Sequence, residues 1–268
     1  MKITSRDNSL LREARAVRDG RVDELIFVEG LRLCVEALQS KLPIETVIAS
    51  EELIRKEKAA GAFAELSTAS KRVATVSEKL LESISYTKTP QGIVVLARRP
   101  DASRQRIEAS LNGGSLLVVL HQINNPVNVG AILRTAEAAG ATGIITTRNT
   151  SDPFSPKSLR GAMGSAFRLP IWRGAEFSDA VGLCRERNVV LVGTAASAQT
   201  AHTDFDGTCA TALVLGSEST GLTDDELKST GETVSIPMHG SVESLNVSVA
   251  AGILLYEAAR QRREKQLS

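Results

Sequence analysis

Five consecutive apolar residues, Leu116-Leu117-Val118-Val119-Leu120, constrain this chain more than any other stretch. An unbroken apolar run of strand length reads as a strand covered on both faces, the kind found in parallel sheets whose crossover connections lay helices on each side. Similar runs follow at Gly143–Thr147, 189–193, 212–215 and 233–236, separated by segments of helix length. They imply an open, mostly parallel α/β sheet with flanking helices.

Ahead of this pattern, residues 1–24 read as a charged amphipathic lead-in. Candidate strands follow at 25–28, 46–49, 72–76 and 92–97, with helices expected at Leu31–Gln39, 51–60 and 77–83. That is a small α/β unit. The stretch from Arg98 to Gly114 then breaks the apolar pattern with Pro100, several charges and Asn112-Gly113-Gly114, as a linker does. The expected organisation is therefore 1–98, a linker over 99–114, and 115–268.

Charge and cysteine usage exclude several classes. The chain's 32 Lys and Arg against 31 Asp and Glu give no overall attraction to polyanions, so any nucleic-acid surface must be local. Cys34, Cys184 and Cys209 lack CxxC spacing, and His121, His202 and His239 lack ligand spacing, so neither a disulfide framework nor a metal is expected. No apolar run approaches the roughly 20 residues that span a bilayer, and 1–20 has no signal-peptide core. A cytoplasmic protein is expected.

In open α/β sheets ligands sit beyond the carboxyl ends of strands, so the segments just after the apolar runs matter most. The first is Asn124-Asn125-Pro126-Val127-Asn128-Val129-Gly130-Ala131-Ile132-Leu133-Arg134, where Asn128 suits a helix N-cap. Arg134 lies about 140° from Val129 in helical projection, off the apolar stripe and about 9 Å along the axis from Asn128. It is either a solvated surface arginine or a cation leaning back toward the strand ends. The second segment is Gly216-Ser217-Glu218-Ser219-Thr220-Gly221-Leu222, a tight loop bracketed by glycines. The third is Ile236-Pro237-Met238 with Ser244-Leu245-Asn246-Val247-Ser248, where Ser244 or Asn246 either caps the last helix or serves a ligand. That helix is apolar on nearly every side through 247–255, so burial is expected, in part against a second subunit. Neither GxGxxG nor GxxxxGK[ST] occurs, which removes the main support for a nucleotide-dependent oxidoreductase or a P-loop enzyme.

In this order and spacing the three segments resemble the signature motifs of the SpoU (TrmH-like) branch of the SPOUT RNA methyltransferases. The likeness covers about 115–263. More loosely, Phe27-Val28-Glu29-Gly30 and Gln91-Gly92-Ile93-Val94 resemble parts of an L30e-like substrate-binding domain that many members carry in front. The resemblance implies a parallel sheet with a C-terminal trefoil knot, a homodimer, and methyl transfer from S-adenosylmethionine to a ribose 2′-hydroxyl of RNA. Ribosomal RNA is the expected substrate and transfer RNA its rival. Carried across motif by motif, the cofactor pocket falls on Gly216, Ile236 and Leu245. The catalytic group falls on Asn128, Arg134, Glu218, Ser244 and Asn246.

Methyl transfer needs the nucleophilic oxygen aligned at about 3–3.5 Å from the methyl, so positioning is the main task. A guanidinium stays protonated in proteins, so Arg134 is expected to activate the hydroxyl electrostatically and orient phosphate, leaving the proton acceptor open. Asn128, Ser244 and Asn246 would hold Arg134 and the ribose, while Glu218 would orient the first motif. Lys157 and Arg160, in a Ser-Pro-Lys stretch that also resembles relatives, are either RNA phosphate contacts or a solvated helix face. Lys88, Arg98 and Arg99 are expected to grip RNA from the leading domain. Two departures stand out. Asn125 replaces an Asp common before the first-motif proline, and Ala162 stands where relatives often have Ser. A catalytically silent RNA-binding or ribosome-assembly protein of the same fold is the competing class.

Overall fold

The computed structural model describes residues 1–267, which fall into two compact units: Met1–Pro100 with Phe154–Arg168, and Asp101–Pro153 with Leu169–Ser268, its last described residue being Leu267.

In the first unit the lead-in forms α1 (Ser9–Arg18), capped by Asn8, whose side chain accepts the Leu10 amide. Its apolar stripe, Leu10, Leu11, Ala14 and Val17, is buried. The chain continues as β1 (Leu25–Glu29), α2 (Leu31–Gln39), β2 (Ile44–Ser50), α3 (Glu51–Arg55), α4 (Glu57–Ala69), β3 (Ser70–Val76), α5 (Glu78–Ile84) and β4 (Ile93–Arg98). The sheet order is β1-β4-β2-β3, with β4 antiparallel to both neighbours and β2 parallel to β3. The single helix expected over 51–60 is two helices, because Lys56 adopts an extended conformation that ends α3 and starts α4.

The stretch read as a linker contains α6 (Arg104–Ser110), whose Ile107 is buried in the second unit's core. There follow β5 (Leu116–Leu120), α7 (Pro126–Ala138), β6 (Gly143–Thr147), the first-unit helices α8 (Pro156–Ala162) and α9 (Ser165–Arg168), and β7 (Ile171–Ala175). Then come α10 (Phe177–Glu186), β8 (Val190–Thr194), β9 (Thr200–Ala201), β10 (Thr211–Leu215), α11 (Asp224–Ser229), β11 (Glu232–Ser235) and α12 (Val247–Leu267). The second sheet is parallel throughout, in the order β7-β6-β5-β10-β8-β11-β9. The β5 and β10 runs are buried at every position, as their unbroken apolar sequence requires.

Three expectations need correction. Helix α7 starts at Pro126, not after Asn128: Asn125 is the cap, its Oδ1 accepting the Val127 amide at 3.0 Å. Proline is favoured at this first helical position because it has no N–H to leave unpaired. Helix α12 is not buried on every side. Ala251, Leu254, Leu255, Ala258 and Ala259 are buried, whereas Val249 and Tyr256 are 51% and 48% exposed. Arg98 and Arg99 are engaged within the first unit. Arg98 pairs with Glu45, and the mostly buried Arg99 donates to the Asp23 carbonyl and lies over the Phe154 ring.

Candidate functional site

The three unusual segments follow the carboxyl ends of β5, β10 and β11. Their shared position comes from the sheet order, which sets β5 beside β10 and β11 one strand further on across β8.

Glu218 joins the second segment to the first. Its carboxylate accepts the backbone amides of Asn124 and Asn125 at 3.1 and 3.3 Å, and Asn128 Nδ2 at 3.0 Å. Burial pushes the Glu218 carboxyl up. Hydrogen bonds from Asn128, its own backbone amide, Asn124 and Asn125 outweigh that and hold it below the usual carboxylate range. Asn128 is buried, and its Oδ1 accepts Asn246 Nδ2 at 3.2 Å. Asn246 Oδ1 in turn accepts the amide and hydroxyl of Ser248 at 2.9 and 2.6 Å at the start of α12. A directional chain of hydrogen bonds thus runs through all three segments. Ser244, the other candidate cap, is exposed and makes no such bond.

Beside this chain lies a cavity of about 700 Å³. Gly216, Glu218, Ile236, Ser244, Leu245 and Asn246 all line it, so six of the eight residues expected at cofactor or catalysis meet there. Asn128 stands behind the wall through its bond to Asn246. Arg134 is not in the wall. It is exposed on α7 and free of hydrogen bonds and ion pairs among the described residues, so the expected contacts from Asn128 and Asn246 to Arg134 are absent.

The glycine requirement at Gly216 has a local cause. A Cβ there would sit 2.5 Å from the Leu222 amide nitrogen, against the backbone of its own loop, which Ser217 O closes by accepting the Gly221 amide. The cavity's charge is more informative. Glu218, Asp224 and Glu243 line it and no Lys or Arg does, so it favours a cation over a phosphate. Sequence reading missed Asp224, at the start of α11, and Glu243, on the loop before α12, which nothing local brings together.

It also missed His121, the residue immediately after β5. The buried ring accepts or donates at Nδ1 to Thr147 Oγ1 at 3.0 Å, meets Glu226 Oε1 through Nε2 at 2.8 Å, and tilts against Phe177 at 4.6 Å. Glu226 also completes a capping box with Thr223 at the start of α11. The His121–Glu226 contact ties β5 to the helix whose Asp224 and Leu227 form part of the cavity wall.

The three expected RNA contacts, Lys157, Arg160 and Lys88, are exposed and belong to the first unit. Among the described residues no group of three or more His, Cys, Asp or Glu is placed to hold a metal ion, and no helix is long and apolar enough to cross a membrane.

A parallel α/β sheet with a carboxylate-lined cavity beyond its strand ends, bordered by an asparagine-glutamate chain, defines the class. Comparison with known proteins narrows it: the pattern described as SpoU rRNA Methylase family matches residues 115–256, and one described as MRM3-like substrate binding domain matches 11–95. The chain belongs to the SpoU family. It is 30% identical to the AdoMet-bound rRNA methyltransferase structure from Sinorhizobium meliloti, covering 97% of each chain with a TM-score of 0.86. It is 35% identical to the 23S rRNA (uridine(2479)-2'-O)-methyltransferase of Streptomyces viridochromogenes over 71% of this chain and 68% of that one. Against the 23S rRNA (guanosine-2'-O-)-methyltransferase RlmB of Bordetella pertussis the identity is 34%, covering 79% and 87% of the two chains.

Proposed function

We propose that this protein transfers the methyl group of S-adenosylmethionine to a ribose 2′-hydroxyl of ribosomal RNA. The observation that carries this reading is the Glu218–Asn128–Asn246 chain at the rim of a cavity with three carboxylates and no basic side chain. Those residues fit the methyl donor, because it brings a permanent positive charge on sulfur that neighbouring carboxylates stabilise. When bound, the donor supplies an electrophilic methyl group.

The chain's own residues supply placement and electrostatics. Gly216, Ile236 and Leu245 line the donor cavity. Glu218 fixes the turn at Asn124 and Asn125 and, through Asn128, the first turn of α7, the helix that carries Arg134. Among the described residues Arg134 has no partner to neutralise it, so its charge is available to the substrate. Beside a 2′-hydroxyl, a guanidinium favours the deprotonated oxygen without itself giving up a proton. Ser244 and Asn246 complete the ribose side of the site.

The same reading assigns RNA substrate binding to 1–98, with Lys88, Lys157 and Arg160 at phosphates, and catalysis to 115–268. It includes the trefoil knot, which the meeting of 216–222 and 236–247 in one cavity supports. It also includes a cytoplasmic homodimer. The α12 face bearing Val249, Ile253 and Tyr256, spaced four and three residues apart, is the apolar stripe that a second copy would cover.

The test is tritium transfer from labelled S-adenosylmethionine to RNA from cells lacking the protein, with incorporation mapped by resistance of the linkage to alkali. Incorporation into ribosomal RNA that Arg134→Ala abolishes is the expected result. Incorporation into transfer RNA alone would move the substrate assignment. Binding of RNA without any incorporation would favour the silent module.

A further inference from the structure

Aromatic residues make up 3% of the chain, and among the described residues Tyr86 and Tyr256 are the aromatic side chains that stand exposed. Tyr256 lies on the apolar stripe of α12. Tyr86 lies instead in the loop between α5 and β4, with exposed Lys88, Thr89 and Gln91 after it.

This loop's backbone is held by two charged side chains. Glu29, buried at the end of β1, accepts the Tyr86 amide at 2.8 Å, the Thr87 amide at 3.2 Å and the Thr87 hydroxyl at 2.5 Å. From the other side Arg18 donates to the carbonyls of Ile84 and Ser85 at 3.2 and 3.3 Å. Four consecutive residues, 84–87, are therefore fixed by a cation on their carbonyls and an anion on their amides. A buried carboxylate given over to two amides and a hydroxyl of a surface loop does little for the core. Its effect is to present the next side chains in one geometry, so that a ligand need not order them on arrival. The same loop continues into Pro90, Gln91 and Gly92, which wall a cavity of about 480 Å³ together with Leu31, Leu53, Lys56 and Lys58.

We propose that Tyr86 is a stacking platform for one unpaired base of the RNA substrate, with Lys88 on an adjacent phosphate. This rests on the RNA-methyltransferase reading above. A lone exposed ring among polar neighbours lacks the apolar surround that forms the core of a protein interface. A base needs only one π-face and a nearby cation, and sequence-specific RNA recognition favours unstacked bases presented to aromatic side chains.

The experiment measures filter-binding affinity for deproteinised ribosomal RNA from cells lacking the protein, with methyl transfer to the same RNA in parallel. Tyr86→Ala is expected to weaken RNA binding by about 5- to 100-fold while leaving the KM for S-adenosylmethionine and the melting temperature unchanged. Tyr86→Phe, which keeps the ring, restores binding to within about twofold. Lys88→Ala reduces the slope of log affinity against log salt by roughly 0.7–0.9, whereas Tyr86→Ala leaves the slope alone. Tyr86→Ala binding within twofold of wild type overturns the proposal. So does Tyr86→Phe being as impaired as Tyr86→Ala, or a defect seen with assembled ribosomal particles but not with bare RNA, since that would mean a protein partner. Absence of methyl transfer by the wild type would refute the enzymatic reading instead, and the affinities would still decide the role of Tyr86.

Discussion

Replacing Asn128 by Asp changes one atom type at the centre of the hydrogen-bond chain. Nδ2, which donates to Glu218 Oε1 at 3.0 Å, becomes an oxygen that cannot donate, and a second negative charge faces the first. Two unit charges 3.0 Å apart at an effective dielectric constant of about 20 repel by about 5 kcal/mol. Glu218 is exposed on its outer side, and the carboxyls can draw apart, so solvent screening cuts this roughly in half. A penalty of about 2–3 kcal/mol remains, equivalent to raising the pKa of one carboxyl by about two units. For a unit of this size that lowers the melting temperature by roughly 5–10 °C.

The sign with pH separates this from simple damage. In the wild type the Glu218 carboxyl sits below its usual range, so its contribution is present at neutral pH and disappears as pH falls through that lowered value. In Asn128→Asp the two carboxyls share a proton whose affinity is raised in the folded state. Stability is then retained below the unfolded carboxyl pKa and lost as pH rises through the elevated one. Calorimetric melts of both proteins at matched ionic strength should show a gap that is widest near pH 8 and narrows toward pH 5. Asn128→Ala, which adds no charge, should show a gap that does not narrow in this way. An Asn128→Asp gap of the same size at both pH values would refute the reasoning.

Arg134→Ala should reduce kcat for methyl transfer by at least about 100-fold with less than about 1 °C change in melting temperature, because the side chain is exposed and unpaired; a stability loss matching the activity loss would count against a role toward substrate. Gly216→Ala forces a Cβ against the Leu222 amide, so it should raise the Kd for S-adenosylmethionine at least tenfold by titration calorimetry and lower the melting temperature. Unchanged affinity would show that the loop can shift without disturbing the cavity. Arg262→Met should cost about 3 kcal/mol in thermal or denaturant unfolding, since the half-buried guanidinium donates to the carbonyls of Gly207, Gly114, Ser115 and Cys209 and the thioether cannot replace those bonds. A loss below about 1 kcal/mol would mean that water satisfies them.

What was legible in the sequence follows from how local each signal is. Strands β5 and β10 declare themselves because burial on both faces demands an unbroken apolar run, five residues in β5 and the four after Thr211 in β10, while β6 shows it only at Ile144 and Ile145. Strand β7, with Trp172, Arg173 and Gly174 in its middle, lies at the edge of the sheet, where polar residues reach water, and it leaves no such run. Asn125 and Asn128 are equally good caps by residue type. Pro126 between them was the signal that favoured the earlier start, and the burial that gives Asn128 its other task comes from Glu218 and Asn246, 90 and 118 residues away. The basic end of α12 suits a helix dipole, but the role of Arg262 depends on two loops, the ones before β5 and before β10, that the sheet order brings to it.

The charge layout of the site imposes an order on its parts. A cationic methyl donor and Arg134 repel one another, and a cavity containing both cations without compensation would bind the donor poorly. Here the arginine stands outside the cavity wall, while Glu218, Asp224 and Glu243 are inside it. Glu218 serves both sides, as a carboxylate on the cavity and as the clamp on the turn that begins Arg134's own helix. If Arg134 serves the substrate as proposed, the oxygen that receives the methyl group sits between a positive charge held by carboxylates and one left unpaired. That is where partial negative charge on a sugar hydroxyl is most stabilised and where its positively charged proton is least retained. Neutralising Glu218 as Glu218→Gln should then affect both ends together, raising the KM for the donor and lowering kcat. Loss of only one of the two would separate the donor cavity from the guanidinium helix and show that Glu218 does not couple them.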